Sequence, residues 1–143
     1  MAKIKLYVGC GLNGAPPKFV ESIAKLKDSL RKDFEVLDFV GLNWTSAATV
    51  YKWDIEHCVR TCDLFVAICD ERSTGLGYEL CEAVHLNTPI LALAKTDFKL
   101  SGLVLGLAEL NQNVELQRYD NLDKDIPTII KDHINKLELT RSS

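Results

Sequence analysis

Two features of the amino-acid sequence predict an α/β fold, read as a single doubly wound domain whose five-stranded, mainly parallel sheet carries helices on both faces. One is a repeated switch between short apolar runs of β type and longer stretches with apolar residues at helical spacing. The other is length: 143 residues bury one core, at the usual ~100–200 residues per domain, so residues 1–143 are read as one unit. Alternating βα units require right-handed crossovers, which put the sheet in the middle and the helices outside.

Each element follows from its local pattern. Residues 4–8 (IKLYV) read as a strand ending at Gly9. Residues 17–32 carry Phe19, Ile23, Leu26 and Leu30 at helical spacing, with Pro16 and Pro17 placed where a helix starts. The charges of that stretch, Lys25, Lys27, Arg31 and Lys32 with Asp28 and Asp33, read as a solvated face. Residues 36–40 (VLDFV) are a second strand, and Ser46 offers a cap to a helix running to about Cys62. The near-continuous apolar run 63–69 (DLFVAIC) suits a central strand covered on both faces. A loop, 70–75, leads into a helix from about Leu76 to Leu86, and 89–94 (PILALA) is the fourth strand. A short helix near 100–110, a fifth strand at 114–119 and a closing helix at 126–137 complete the pattern, with 139–143 as a frayed tail.

Composition narrows the function classes. Lys and Arg number 17 against 20 Asp and Glu, a net charge of −3, which argues against a nucleic-acid polymer or a membrane surface as partner. No apolar run reaches the ~18 residues of a membrane span, and the start lacks an apolar signal core. Five cysteines, an odd number, read as reduced thiols of a cytoplasmic protein. Cys58 and Cys62 have no second pair and read as buried small hydrophobes. His57, His85 and His133 show no ligand spacing, so neither a metal nor another cofactor is implied.

In open sheets of this kind the ligand crevice lies beyond the carboxyl ends of the strands. Two loops qualify, residues 9–16 and 70–76. The first matches G-x-G-x-x-G through Gly9, Gly11 and Gly14, with Asp38 24 residues on, which leaves an NAD-binding reading open. Pro16 and Pro17 delay the helix beyond the point where a pyrophosphate would need its N-terminus. The same glycines also suit a flexible turn, or a backbone that closes over a small ligand. In the second loop Ser73 and Thr74 can cap a helix whose first N–H groups suit an anion, with Gly75 and Gly77 allowing close approach. Glu79 then falls near the crevice, where it is either an ordinary carboxylate favoured by the helix dipole or a reactive one.

Residues 62–83 (CDLFVAICDERSTGLGYELCEA) resemble the core motif of the nucleoside 2-deoxyribosyltransferase family, and within it the 2'-deoxynucleoside 5'-monophosphate N-glycosidase branch. The resemblance implies a flavodoxin/Rossmann-like sheet and a homodimer with shared active sites acting on a small nucleotide or nucleoside. It makes Glu79 the nucleophile and Tyr7 its neighbour, and it gives the 5'-phosphate to Ser73 and to Ser101, the latter supplied across the dimer. Gly9, Gly11, Asn13, Gly75 and Gly77 are the further substrate-binding positions; the nucleotide branch carries Ser and Arg where this chain has Gly11 and Asn13. Asp54 corresponds to the second acidic residue, but lies one residue farther from Asp63 than the family pattern, which on a regular helix turns a side chain by about 100°. Glu56 is the alternative.

Cleaving an N-glycosidic bond builds oxocarbenium-like charge, which a carboxylate below the sugar stabilises or captures covalently, while an acid serves the leaving base. The expected activity is therefore hydrolysis of 2'-deoxynucleoside 5'-monophosphates through a glycosyl-Glu79 intermediate. Base exchange between deoxynucleosides, and a non-catalytic nucleotide- or NAD-binding module, are the alternatives. Trp44 and Trp53 flank the loop after strand two, where an aromatic ring could stack on a base or pack into the core.

Overall fold

The computed structural model describes residues 3–142, with side chains as far as residue 138. The chain runs β1 (Lys5–Cys10), α1 (Pro17–Leu30), β2 (Glu35–Leu37), α2 (Ala47–Tyr51) continuing into a π-helical segment (Lys52–Val59), β3 (Leu64–Ile68), α3 (Thr74–His85), β4 (Ile90–Lys95), α4 (Gly102–Leu110), β5 (Val114–Tyr119) and α5 (Leu122–Ser142). The five strands lie in the order β2-β1-β3-β4-β5, every neighbouring pair parallel. The first crossover steps one way along the sheet and the later ones step the other way. The reversal falls between β1 and β3, and the loops after those two strands flank the resulting crevice.

Strand alternation sorts the core into two layers. Tyr7, Phe65, Ala67, Ile90 and Ala92 point to one face, where Ile55, Cys58 and Val59 of the π segment and Leu76, Leu80 and Ala83 of α3 cover them. Leu6, Val8, Val66, Ile68, Leu91 and Leu93 point to the other, against Ile23, Leu26 and Leu30 of α1 and Ile126, Ile130 and Ile134 of α5. Tyr7 thus faces the layer that carries Asp54 and Glu79.

Several boundaries differ from the sequence reading, each for a visible reason. β1 continues through Gly9 to Cys10; a Cβ on Gly9 would stand 2.9 Å from the Phe65 ring, so the glycine lets β1 and β3 pack closely. β2 stops at Leu37, because residues 38–40 direct their polar groups to the π segment. Asp38 O accepts from Trp53 Nε1 at 2.6 Å, and Val40 N–H donates to Asp54 Oδ1 at 2.8 Å. The 46–62 helix keeps its Ser46 cap but widens after Tyr51, with Arg60 N–H bonded to Ile55 O, five residues back, at 2.9 Å. α5 begins at Leu122 instead of 126, capped by Asn121 Oδ1 on the Lys124 N–H, with Pro127 inside it. Its backbone continues through Ser142 into the stretch expected as a tail; Ser143 lies outside the described residues. Among the described residues no helix is long and apolar enough to cross a membrane.

Candidate active site

Three elements bring Tyr7, Asp54 and Glu79 together. Tyr7, on β1, is fully buried, and its hydroxyl has no hydrogen-bond partner. Glu79 sits on the second turn of α3 with Oε2 equally buried and unpartnered. The two groups are near enough that the hydroxyl favours the ionised carboxyl, yet no hydrogen bond of regular geometry joins them. A buried polar atom without a partner costs about 1–3 kcal/mol, so this pair is held at the expense of stability. Burial is the main cause that pushes Glu79 up to about 7; Asp54 adds to the rise, while Tyr7 and Lys27 oppose it. The Tyr7 hydroxyl is pushed far above its ordinary range, first by burial and then by Glu79, and stays protonated.

Asp54 is half-buried, its Oδ1 fixed by the Val40 N–H at 2.8 Å. Burial raises its pKa, with the Val40 hydrogen bond and Lys27 pulling back. It contributes to the shifts of both Tyr7 and Glu79. Asp54 lies in the π-helical segment, where the rotation of about 100° per residue of a regular α-helix does not apply. Glu56, the alternative, is exposed and acts on Arg60 instead.

The two crevice loops touch each other. A Cβ on Gly11 would lie 2.8 Å from the Ser73 Cβ and 2.9 Å from Glu71 O, so glycine there lets the loops close. Ser73 is the N-cap of α3, its Oγ accepting from Leu76 N–H at 3.1 Å, which leaves its own O–H free to donate. The first two N–H groups of α3, at Thr74 and Gly75, have no intrahelical acceptor. A Cβ on Gly77 would meet nothing within 4 Å and one on Gly75 only Ser73 Oγ at 3.6 Å; no neighbour requires glycine at either position. Asn13 is exposed at the loop tip beside Gly14. Behind the second loop, Asp70 is locked by the Tyr119 hydroxyl and by the Lys95 N–H at 2.6 Å, which ties Ser73's loop to β4 and β5.

Ser101 does not join the carboxylates. It caps α4, accepting from Val104 N–H at 3.3 Å, and shares with Ser73 a groove of about 1100 Å³ between α3 and α4. Leu80, Val84, Leu103 and Leu107 make that groove largely apolar. It excludes Tyr7, Asp54 and Glu79, so this groove and those three groups occupy different places.

Sequence reasoning missed two neighbours of the site. Lys27, expected on a solvated face, is 8% exposed, with its Nζ 4.0 Å from the Phe39 ring centroid. Phe39, expected within β2, leaves the sheet and meets Tyr7 edge-on at 6.4 Å. The signal for Lys27 was its place on the 23–26–27–30 stripe of α1. Asp38, the candidate ribose partner of the NAD reading, is taken by Arg31 at 2.5 Å and Lys27 at 3.7 Å. Trp44 and Trp53 are exposed, Trp53 stacking on His57 with centroids 3.9 Å apart. Cys10 is pushed up to about 11 by burial, the leading cause, and is a neutral thiol at neutral pH. Among the described residues no group of three His, Cys, Asp or Glu side chains converges as a metal ion would need.

No family model matches the chain. It is similar to a curated protein of Syntrophotalea carbinolica, provisionally named 2'-deoxynucleoside 5'-phosphate N-hydrolase 1, with 35% identity over 107 residues, 73% of this chain and 70% of that one. Among solved structures it resembles the CMP N-glycosidase of Clostridium botulinum, with TM-score 0.67 and 20% identity over 88% of this chain and 98% of the other. It also resembles the 2-deoxyribosyltransferase of Leishmania mexicana, with TM-score 0.61 and 13% identity over 91% and 99% of the two chains. The 2-deoxyribosyltransferase of Bacillus psychrosaccharolyticus gives TM-score 0.61 and 17% identity over 87% and 94%. At these identities the structural likeness is one of fold.

Proposed function

The chain belongs to the nucleoside 2-deoxyribosyltransferase family, enzymes of pentosyl transfer and hydrolysis, and from that premise we propose that it hydrolyses the base–sugar bond of 2'-deoxynucleoside 5'-monophosphates with Glu79 as nucleophile. The observation that carries this reading is the buried, unpartnered Oε2 of Glu79 beside the equally unpartnered Tyr7 hydroxyl. A carboxyl that no cation and no N–H saturates keeps its lone pairs for a ligand.

The roles divide by position. Glu79, ionised, attacks C1' and the bond to the base breaks, giving a glycosyl ester; water then attacks the same carbon and the carboxylate leaves. Asp54 and Glu79 titrate as an interacting pair. In the reactive form Glu79 is ionised and the pair's one proton is on Asp54, which donates it to the departing base and then accepts the proton of the attacking water. Tyr7 holds the carboxylate that forms when the ester breaks. The Ser73 hydroxyl and the open N-terminus of α3 supply donors for the 5'-phosphate, with Gly9 letting β1 pack close on β3 and Gly11 keeping the two loops together.

The same reading takes a second copy of the chain as partner. α4 has no buried residue, and it leaves Leu103 and Leu110 at 88% and 85% exposure along the groove that Ser101 borders. Covering that face with its symmetry mate would remove apolar surface from water and bring Ser101 into an enclosed site. Light scattering coupled to gel filtration reads this directly: a dimer is expected, dissociated by Leu103→Glu.

Incubation with deoxynucleosides and deoxynucleoside monophosphates, with and without a free acceptor base, tests the activity. Release of base and deoxyribose phosphate by the wild type, and none by Glu79→Gln, is the expected result. Exchange of bases with little hydrolysis would make the chain a transferase. Binding without turnover would make it a nucleotide-binding module.

A further inference from the structure

Lys27 stands where the packing of α1 asks for an apolar side chain. The buried stripe of that helix is Ile23, Leu26, Lys27 and Leu30. Burying an ammonium is costly unless something answers its charge. Two groups do. Asp38 Oδ1 lies 3.7 Å from Nζ, and the face of Phe39 lies 4.0 Å from it. Asp38 is also bound by Arg31 at 2.5 Å, so it serves two cations and leaves the lysine's charge only partly balanced. The ammonium lines a small cavity of about 290 Å³ whose other walls include Leu12, Phe39 and Gly41, from the loops after β1 and β2. The Phe39 ring also meets Tyr7, the two planes nearly perpendicular with centroids 6.4 Å apart.

We propose that Lys27 is a positioning residue for the Tyr7–Asp54–Glu79 group, a fixed cation on the Phe39 face whose field favours the ionised Glu79 carboxyl that attacks. The inference rests on the reading of Glu79 as nucleophile. The titratable and charged groups that act on that carboxyl are Tyr7 and Cys10 on β1, Lys27 on α1, Asp54 and Cys58 on the π segment, and Cys62 after it, while Arg31 and Asp38 act on Lys27. Cys10 and Cys58 are raised to about 11 and about 12, chiefly by burial, and carry no charge at neutral pH. Asp54 works against the ionisation of Glu79, and Lys27 works for it. Burial also lowers the affinity of Lys27 for its own proton, with Arg31 in the same direction and Asp38 against. The sign is then fixed: without the cation, Glu79 holds its proton to higher pH.

The test compares Lys27→Met, which keeps the stem and removes the charge, with Lys27→Arg, which keeps the charge. The side-chain carboxyl of Glu79 is titrated by NMR in protein labelled with 13C-glutamate, its signal assigned by its loss in Glu79→Gln. The pH profile of base release is measured in parallel. In Lys27→Met the Glu79 titration and the acid limb of kcat should both move to higher pH, with the rates converging at alkaline pH. In Lys27→Arg both should stay where the wild type has them. A Met variant that is folded by circular dichroism and titrates at the wild-type pH overturns the proposal. Lys27→Gln is read in the same way should the Met variant fail to fold. If the wild type releases no base from any substrate, the glycosidase reading fails, and the NMR titration still decides whether Lys27 controls Glu79.

Discussion

Glu79 and Glu115 are both partly buried glutamates that meet polar neighbours, and they have opposite surroundings. Glu115, on β5, accepts from Lys136 Nζ at 2.7 Å and Gln117 Nε2 at 2.6 Å, and lies 3.0 Å from His133 Nδ1. Its carboxyl is held down at about 2, first by Lys136. Glu79 has a buried oxygen with no partner and is pushed up to about 7. A saturated carboxylate is a strut between β5 and α5. An unsaturated one is a liability to the fold that a ligand would relieve.

The largest effect should come from Glu79→Gln. Loss of a nucleophile costs on the order of 10⁴-fold or more in kcat, measured as base release, while thermal stability should hold or rise. The pH dependence gives the sign. The folded state binds the Glu79 proton more tightly than the unfolded chain does, so stability falls as pH rises from about 4.5 to about 7, by on the order of 3 kcal/mol at most. Chemical denaturation across that range should reveal the slope in the wild type and lose it in Glu79→Gln.

Asp54→Asn should lower kcat by roughly 10²–10⁴-fold, the usual worth of a positioned acid or base. Because Asp54 raises the Glu79 pKa, the acid limb of the rate profile should move to lower pH in the same variant. A limb that does not move would uncouple the two carboxyls. Tyr7→Phe removes a buried hydroxyl without a partner. It should be neutral or stabilising by up to about 1 kcal/mol, and slow base release by roughly 10-fold at neutral pH, since the hydroxyl favours ionised Glu79.

Glu115→Gln is the opposite control. Its folded pKa is depressed, so its contribution is complete above the unfolded value near 4.3 and disappears as pH falls toward 2. The carboxyl is partly solvated and screened, so the loss at pH 7 should be about 1 kcal/mol. Turnover should be unaffected; a drop in kcat would break the distinction between the two glutamates.

Much of this arrangement was legible in the sequence. The apolar run of β3, the Ser73 cap and the position of Glu79 on the following helix need only local chemistry. The parity of β1 then decides that Tyr7 faces α3 and not α1. Other features depend on contacts distant in sequence. β2 ends early because the 38–40 backbone bonds to Trp53 and Asp54, and propensity records no such bonds. The π turn that sets Asp54 arises in the same tertiary exchange. Lys27 belongs to a charged stretch that reads as solvated, and only its place on the apolar stripe betrays its burial. The start of α5 at Leu122, capped by Asn121, lies before the stretch 126–137 that reads as helix in the sequence.

The most direct test is to trap the intermediate. A 2'-fluoro analogue of the substrate, slowed at the oxocarbenium-like step, is incubated with the enzyme, quenched in acid and analysed by peptide mass spectrometry. The account predicts a sugar-phosphate adduct on the peptide that holds Glu79, absent in Glu79→Gln. Base release in step with enzyme concentration but no adduct at that residue, or an adduct on another side chain, would contradict it.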